Sequence, residues 1–146
     1  VMSFPVQIGH SFYLPVDPVF HLGLAVYTEQ HRLLRELAHK SDCVIVGRCA
    51  DYILREQKPM RIFAYADMKS KVRRCMERRP AGEHLSEMQM KKRITEIDRS
   101  RAKYYSYFSE QKWGARENYD LLVNTSDADI RQLAAALCAY LDFLFT

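Results

Sequence analysis

The sequence predicts an α/β protein in which a parallel sheet lies between layers of helices. The first observation is an apolar run rich in β-branched residues, Cys43 to Val46, which is typical of a strand covered on both faces. The second is the order of predicted elements: helix, strand, helix, strand, two helices, strand, helix. Such alternation favours parallel strands with right-handed crossovers. With 146 residues and 48% apolar content, we expect one domain over residues 1–146.

The N-terminal part is predicted to lead into a long helix. Val1 to Pro18 holds three prolines and no lasting periodicity, so we expect irregular packed chain there. Asp17-Pro18 is a plausible helix start, and the helix is predicted to end near His39. Its expected inward stripe comprises Leu22, Val26, Leu33 and Leu37, widened by Leu34 and Ala38.

Polar residues follow the first predicted strand. Gly47 breaks the apolar run, and Arg48 comes next. Asp51 lies three residues later, in a predicted helix from about Ala50 to Glu56. Ligands bind at the carboxyl ends of strands in open α/β sheets, and a guanidinium there suits a phosphate. Alternatively, Arg48 and Asp51 merely pair and cap the helix, and the pattern leaves both interpretations open.

The middle of the chain is predicted to form a strand and two basic helices. The strand spans Met60 to Ala66, and Asp67 is placed to cap the helix from about Met68 to Arg79. A short polar connection follows, and Ser86 with Gln89 resembles a capping box. We expect a long helix from Glu87 to about Ser109.

One charged residue interrupts the apolar stripe of this long helix. Met90, Ile94, Ile97, Arg101, Tyr105 and Phe108 recur at helical spacing, so Arg101 is expected on the inward face. A buried charge needs a partner, and Asp98 is one turn away. The pair is either a structural bridge or an arginine aimed at a ligand anion and held by the aspartate. We favour the second interpretation, because another basic helix lies one loop away.

A third strand and a last helix complete the prediction. The strand spans Tyr119 to Val123, and Ser126 or Asp127 is expected to cap the helix. That helix has an apolar stripe of Ile130, Leu133, Leu137, Leu141 and Leu144. The aromatic residues Tyr104, Tyr105, Tyr107, Phe108 and Trp113 could stack on nucleobases, but such clusters are usually core, and we expect core here.

Composition argues against several classes of protein. No apolar run is long enough to span a bilayer, and no secretory signal pattern opens the chain. The four cysteines are scattered without metal-site spacing, so we expect reduced thiols, no metal site and a cytoplasmic location. The segment 69–103 holds 12 of the 22 basic residues and five acids, a local charge of about +7. Such a field attracts polyanions such as nucleotides or nucleic acid.

Several stretches together resemble the cytidylate kinase-like family of P-loop nucleotide kinases. They are CVIVGRCADYIL (43–54), RIFAYAD (61–67), the arginine-bearing helix that follows, IDRSRAKYY (97–105), KWG (112–114) and NYDLLVNTS (118–126). The resemblance implies a three-layer parallel sheet flanked by helices with a short helical lid, here about residues 79–87. It also implies transfer of the ATP γ-phosphate to a nucleoside monophosphate, most simply CMP or dCMP, with Mg²⁺.

The resemblance also implies roles for particular residues. Arg48 resembles the arginine that contacts the acceptor nucleotide, with Asp51 beside it. Asp98 and Arg101 resemble the pair that holds the acceptor and the transferring phosphates, so they count as both catalytic and substrate-binding. Arg73 resembles the arginine at the leading edge of the lid and counts as the third catalytic residue, and ATP contacts are implied for Arg73, Arg74 and Arg78. Positioning and charge neutralisation dominate phosphoryl transfer, so converging arginines suit it.

The sequence departs from the family pattern in three places. It contains no GxxxxGK[ST] phosphate loop, Cys49 replaces the aspartate of a Gly-Arg-Asp motif, and Ile94 replaces an arginine. Either the chain is a fragment of a longer kinase, which we favour, or the natural protein has no kinase activity. We expect the 146 residues alone to be inactive. The alternative functions are a nucleic-acid or nucleotide-binding module and a pseudokinase; we favour small nucleotides as partners and expect neither nucleic acid nor membrane.

Overall fold

A computed structural model describes residues 19–80, 82 and 84–145, with side chains from residue 24 onward. The predictions for Val1 to Pro18 and the role of Leu22 in the apolar stripe lie outside the described parts. The helices are α1 (Val19–Lys40), α2 (Ala50–Ile53), α3 (Met68–Glu77), α4 (Glu87–Ser109) and α5 (Ile130–Phe145). The strands are β1 (Ile62–Tyr65) and β2 (Leu121–Asn124), and short 3-10 turns span Arg55–Gln57 and Arg116–Asn118.

The sheet has two strands within the described residues. β1 and β2 run parallel, with Ile62 opposite Leu121 and Tyr65 opposite Asn124. The start of the pair is tied by Arg61, whose guanidinium donates from Nη2 to Oδ1 of Asp120 at 2.8 Å. The chain is therefore a mixed helix and strand protein, as predicted, with the predicted parallel pairing in two of its three expected strands.

The first predicted strand, Cys43 to Val46, is corrected by the structure. The segment pairs with no described strand, and Val44 and Val46 are 94% and 87% exposed. Its composition favours a strand, but strand hydrogen bonds require a neighbouring chain. Only Ile45 turns toward the core.

The core lies between α1, α2 and the second half of α4. Cys49, Ile53, Leu54 and Tyr105 are buried together. The half-buried residues packed around them are Tyr27, Leu34, Ala38, Ile45, Tyr52, Tyr104, Phe108 and Trp113. The predicted core role of the aromatic cluster is confirmed for these members, whereas Tyr107 is 56% exposed.

The inward face of α1 differs from the prediction. Leu34 and Ala38 pack on the core with Tyr27, but Val26, Leu33 and Leu37 are exposed. The two sets lie on neighbouring faces of the helix, so spacing alone did not distinguish which one faces the core.

Helix boundaries follow local capping chemistry. Asp67 accepts a hydrogen bond from the Ser70 N–H at 2.7 Å, and Ser86 with Gln89 forms the predicted capping box. For α5 the prediction was wrong, because Asp129 accepts from the N–H groups of Arg131 and Gln132 instead. No helix in the described ranges is long and apolar enough to cross a membrane.

Candidate functional site

Three consecutive residues with left-handed backbone angles follow the exposed segment. The φ angles of Gly47, Arg48 and Cys49 are 73°, 60° and 54°, and the Ala50 N–H closes the turn on the Gly47 carbonyl at 3.1 Å. A left-handed conformation costs about 1–2 kcal/mol at a residue other than glycine. Cys49 is 3% exposed, so its burial holds the turn in place. The turn leaves Arg48 exposed, with no hydrogen bond or ion pair to the described residues.

Asp51 does not pair with Arg48. Its Oδ2 accepts a hydrogen bond from the hydroxyl of Tyr105 on α4, at 2.7 Å. The described contacts also include no capping hydrogen bond from Asp51 to α2. The interpretation that these two residues merely pair and cap the helix is therefore wrong, and no described residue is hydrogen-bonded to the guanidinium of Arg48.

The predicted pair on α4 is present and has a third member. Arg101 Nη1 lies 3.0 Å from Oδ1 of Asp98, as expected. The other oxygen, Oδ2, lies 2.6 Å from Nζ of Lys71 on α3. Asp98 is 21% exposed, so two cations from two helices converge on one half-buried carboxylate.

Two expectations about this group were incomplete. Arg101 was expected on the inward face, but its side chain is 54% exposed, because a long side chain can carry its charge from an apolar stripe into solvent. Lys71 was not singled out from the sequence. The sequence shows that α3 is rich in basic residues. Only the fold shows which of these residues contacts a carboxylate 27 residues away.

The arginines of α3 reach the end of β2. Arg74 donates from Nη1 to the Thr125 hydroxyl at 3.0 Å and from Nη2 to the Thr125 carbonyl. Arg73 lies 3.4 Å from the Ser126 carbonyl, and Ser126 accepts at Oγ from the Asp67 N–H at 2.8 Å. Two predicted nucleotide-binding arginines therefore lie where both strands end, which is the usual position of a ligand in such sheets. Arg78 is exposed at the C-terminal cap of α3.

The predicted residues thus form separate groups. One contains Arg48 and Asp51, the second contains Asp98 and Arg101, and the third contains the α3 arginines. No hydrogen bond or ion pair among the described residues joins the first group to the second. The predicted lid, 79–87, contains residues 81 and 83, which lie outside the described parts of the chain. Its flanks are the C-terminus of α3 and the N-terminus of α4.

Burial raises the pKa of several side chains near the site, including Cys49 and Tyr105. Burial raises the pKa of the Cys49 thiol to about 12, and the nearby Asp51 charge adds to the effect. Burial also raises the pKa of Tyr105, and its hydrogen bond to Asp51 acts in the same direction. Cys49 is therefore a protonated core thiol at neutral pH rather than a nucleophile.

The donor set of the described residues does not fit a Mg²⁺ ion. Both oxygens of Asp98 face cations, and no group of three or more His, Cys, Asp or Glu side chains is arranged for a metal in the described part of the chain. A polyphosphate fits better, since Arg73 and Arg74 retain donors at the strand ends.

Two known relationships of the chain bear on the family to which these residues belong. A model of the cytidylate kinase-like family matches residues 19–127. The crystal structure of an uncharacterized protein from Eubacterium ventriosum ATCC 27560 is similar, with a TM-score of 0.71 and 28% sequence identity over 89% of this chain and 68% of that chain. No curated protein matches significantly. The region matched by the family model contains every candidate residue described above.

Proposed function

The chain belongs to the cytidylate kinase-like family, and from this premise we propose that it forms the acceptor and lid part of a nucleotide kinase. The proposed reaction moves the γ-phosphate of ATP to a nucleoside monophosphate, CMP or dCMP. The proposed complete fold is a three-layer parallel sheet between helices. The phosphate loop that such chemistry requires is not encoded in these 146 residues, so we expect the chain alone to bind but not to catalyse.

The observation that carries the proposal is the free guanidinium of Arg48. Arg48 lies in a turn with left-handed backbone angles and makes no ion pair with the described residues. The turn therefore does not serve to bring Arg48 to an acidic partner within the described chain. Strained backbone persists where the surrounding structure enforces it, often at ligand sites. A planar guanidinium held in this way suits the phosphate of a mononucleotide.

The other residues take roles consistent with their contacts. Lys71 and Arg101 neutralise Asp98 and hold it between α3 and α4, which flank the proposed lid. Arg101 is exposed and retains donors for phosphate oxygens. Arg73, Arg74 and Arg78 are proposed to contact ATP. In the reaction, an oxygen of the acceptor phosphate would attack the γ-phosphorus and ADP would leave, so the arginines need only position the phosphates and neutralise their charge.

Titration calorimetry with CMP, dCMP and ATP tests this proposal on the 146-residue chain. We expect the wild-type chain to bind CMP or dCMP saturably. Arg48→Ala and Arg101→Ala should each weaken this binding at least about tenfold, because each substitution removes a charge-assisted hydrogen bond to the ligand. Arg131→Ala, on the exposed surface of α5, is the matched control and should bind like the wild type.

Four results would contradict the proposal or a part of it. The absence of mononucleotide binding by folded chain would do so, as would equal effects of all three substitutions. Tight oligonucleotide binding that weakens steeply with salt would favour the nucleic-acid alternative. ATP-dependent phosphorylation by this chain alone would refute the expected lack of catalysis.

A further inference from the structure

A chain of hydrogen bonds lies behind Asp51. The Tyr105 hydroxyl is 2.7 Å from Oδ2 of Asp51 and 3.0 Å from the Gln111 amide oxygen. Asp51 on α2 is thus connected through one buried phenol to Gln111, just beyond the end of α4.

The direction of these bonds follows from the groups themselves. An ionised carboxylate can only accept, and the same is true of an amide oxygen. The Tyr105 hydroxyl has one proton and faces both kinds of acceptor, Oδ2 of Asp51 at 2.7 Å and the Gln111 amide oxygen at 3.0 Å. The charged carboxylate is the stronger acceptor and the closer one, so Tyr105 donates to Asp51 and keeps its proton.

The arrangement fixes one oxygen of Asp51 and leaves the other free. Oδ2 is held by a phenol that is 5% exposed, and burial keeps that phenol protonated. Oδ1 accepts no hydrogen bond from the described residues, although Asp51 is only half-buried. Arg48, which makes no ion pair with the described residues, lies in the turn that opens α2, and Asp51 lies in the first turn of that helix. We therefore expect a ligand whose phosphate binds Arg48 to extend toward the second oxygen of Asp51.

We propose that Asp51 is a specificity residue that accepts a hydrogen bond from the acceptor nucleotide, and that Tyr105 is its positioning residue. The ligand group is a hydrogen-bond donor, either the amino group of the base or a ribose hydroxyl. The proposal rests on the proposed function. A site built to accept such a bond rejects an analogue without the donor, because the carboxylate oxygen is then left unpaired.

A purely structural role for the Tyr105 hydroxyl is distinguishable from this one. The ring of Tyr105 packs on Cys49, Ile53 and Leu54, so the ring joins α4 to α2. Tyr105→Phe keeps the ring and removes only the hydroxyl. A structural role would change stability alone, whereas a positioning role changes the ratio of affinities for two ligands.

The test measures affinities for CMP, UMP and dCMP by titration calorimetry. Tyr105→Phe is expected to reduce one of two affinity ratios, CMP to UMP or CMP to dCMP, by about five- to tenfold. This change corresponds to the free energy of one hydrogen bond. A reduced CMP-to-UMP ratio identifies the base amino group, and a reduced CMP-to-dCMP ratio identifies the ribose hydroxyl. Tyr104→Phe is the matched control, because that hydroxyl bonds to Gln30 at 3.2 Å and should leave both ratios unchanged.

The outcomes separate this inference from the proposed function. If Arg48→Ala abolishes CMP binding while Tyr105→Phe leaves both ratios unchanged, the positioning role is wrong and the proposed function stands. If the folded wild-type chain binds no mononucleotide, both are wrong. If Tyr105→Phe does not fold, Asp51→Ala decides, since it removes the other partner of the same hydrogen bond. Unchanged ratios in Asp51→Ala would overturn the inference.

Discussion

At the scale of single residues, unfavourable backbone angles occur beside the candidate site. Arg48 and Cys49 adopt left-handed angles without the freedom of glycine. Burial of Cys49 in the core supports the turn, and Arg48 is presented to solvent as a result. Stability of the core and presentation of a cation are therefore linked through two adjacent residues.

Gly114 is predicted to be a sensitive position. Its φ angle is 75°, and an added Cβ would lie 2.9 Å from Cζ of Phe63. Gly114→Ala should lower the free energy of unfolding by about 1–3 kcal/mol through backbone strain and this close contact. Gly82→Ala is the control, because its φ is also positive and no described atom lies within 4 Å of the added Cβ. The denaturant midpoints of the two variants check this prediction. Equal losses of stability in Gly114→Ala and Gly82→Ala would refute the role of the contact with Phe63.

Asp120 should make stability depend on pH in the acid range. Hydrogen bonds from Arg61 hold the pKa of Asp120 below its ordinary value of 3.8. The folded state therefore favours the charged form. This contribution is complete above pH 3.8 and is lost as pH falls through the folded pKa.

Asp120→Asn should accordingly be less stable than the wild type at pH 7. Its stability should also fall less than that of the wild type when the pH is lowered. The measurement is the thermal midpoint at pH 7 and at about pH 3, below the ordinary aspartate pKa. Asp127→Asn, an exposed neighbour, should behave like the wild type. If acidification lowers the thermal midpoint equally in Asp120→Asn and in the wild type, the Arg61–Asp120 salt bridge contributes nothing to stability.

At the scale of elements, local patterns predicted the starts of α3 and α4 correctly, whereas they did not predict which face of α1 packs on the core. The bounds of α4 and the caps of α3 and α4 follow from short-range patterns that the sequence contains. The face of α1 toward the core depends on Tyr27, which stacks on Phe108 with ring centroids 3.9 Å apart. That contact joins residues 81 positions apart in the chain, and no local pattern encodes it.

Helix α5 is predicted to be the least protected long element. None of its sixteen residues is buried against the described part of the chain. An isolated helix of this length is marginal in water. By contrast, α4 buries Met90, Ile94, Tyr105 and Ser109. Hydrogen exchange should be at least about 100-fold faster in α5 than in the middle of α4. Equal protection would mean that another surface covers α5.

At the scale of the whole molecule, the described chain leaves large apolar side chains exposed. The most exposed pair is Val44 and Val46, in an extended segment with no partner among the described strands. Exposed apolar surface next to unpaired extended backbone favours association with other molecules.

The 146-residue chain should therefore bind a hydrophobic fluorescent dye in its native state. Replacing Val44 and Val46 together with threonine should reduce the dye signal while leaving the circular dichroism spectrum unchanged. Val26→Thr is the control, because Val26 lies on α1 and is only 36% exposed. An unchanged signal in the double variant would show that this segment is covered in solution.

The sequence by itself determined the α/β class, the parallel β1–β2 pair, most helix bounds and the family. It also indicated the Asp98–Arg101 pair, because residues one helical turn apart must be neighbours. Only the tertiary structure decided that Lys71 is the third member of that group, that Tyr105 rather than Arg48 bonds Asp51, and that residues 43–46 pair with neither described strand. The physical reason is distance along the chain. Capping, periodicity and one-turn pairs act within a few residues, whereas contacts between elements depend on how whole helices and strands pack.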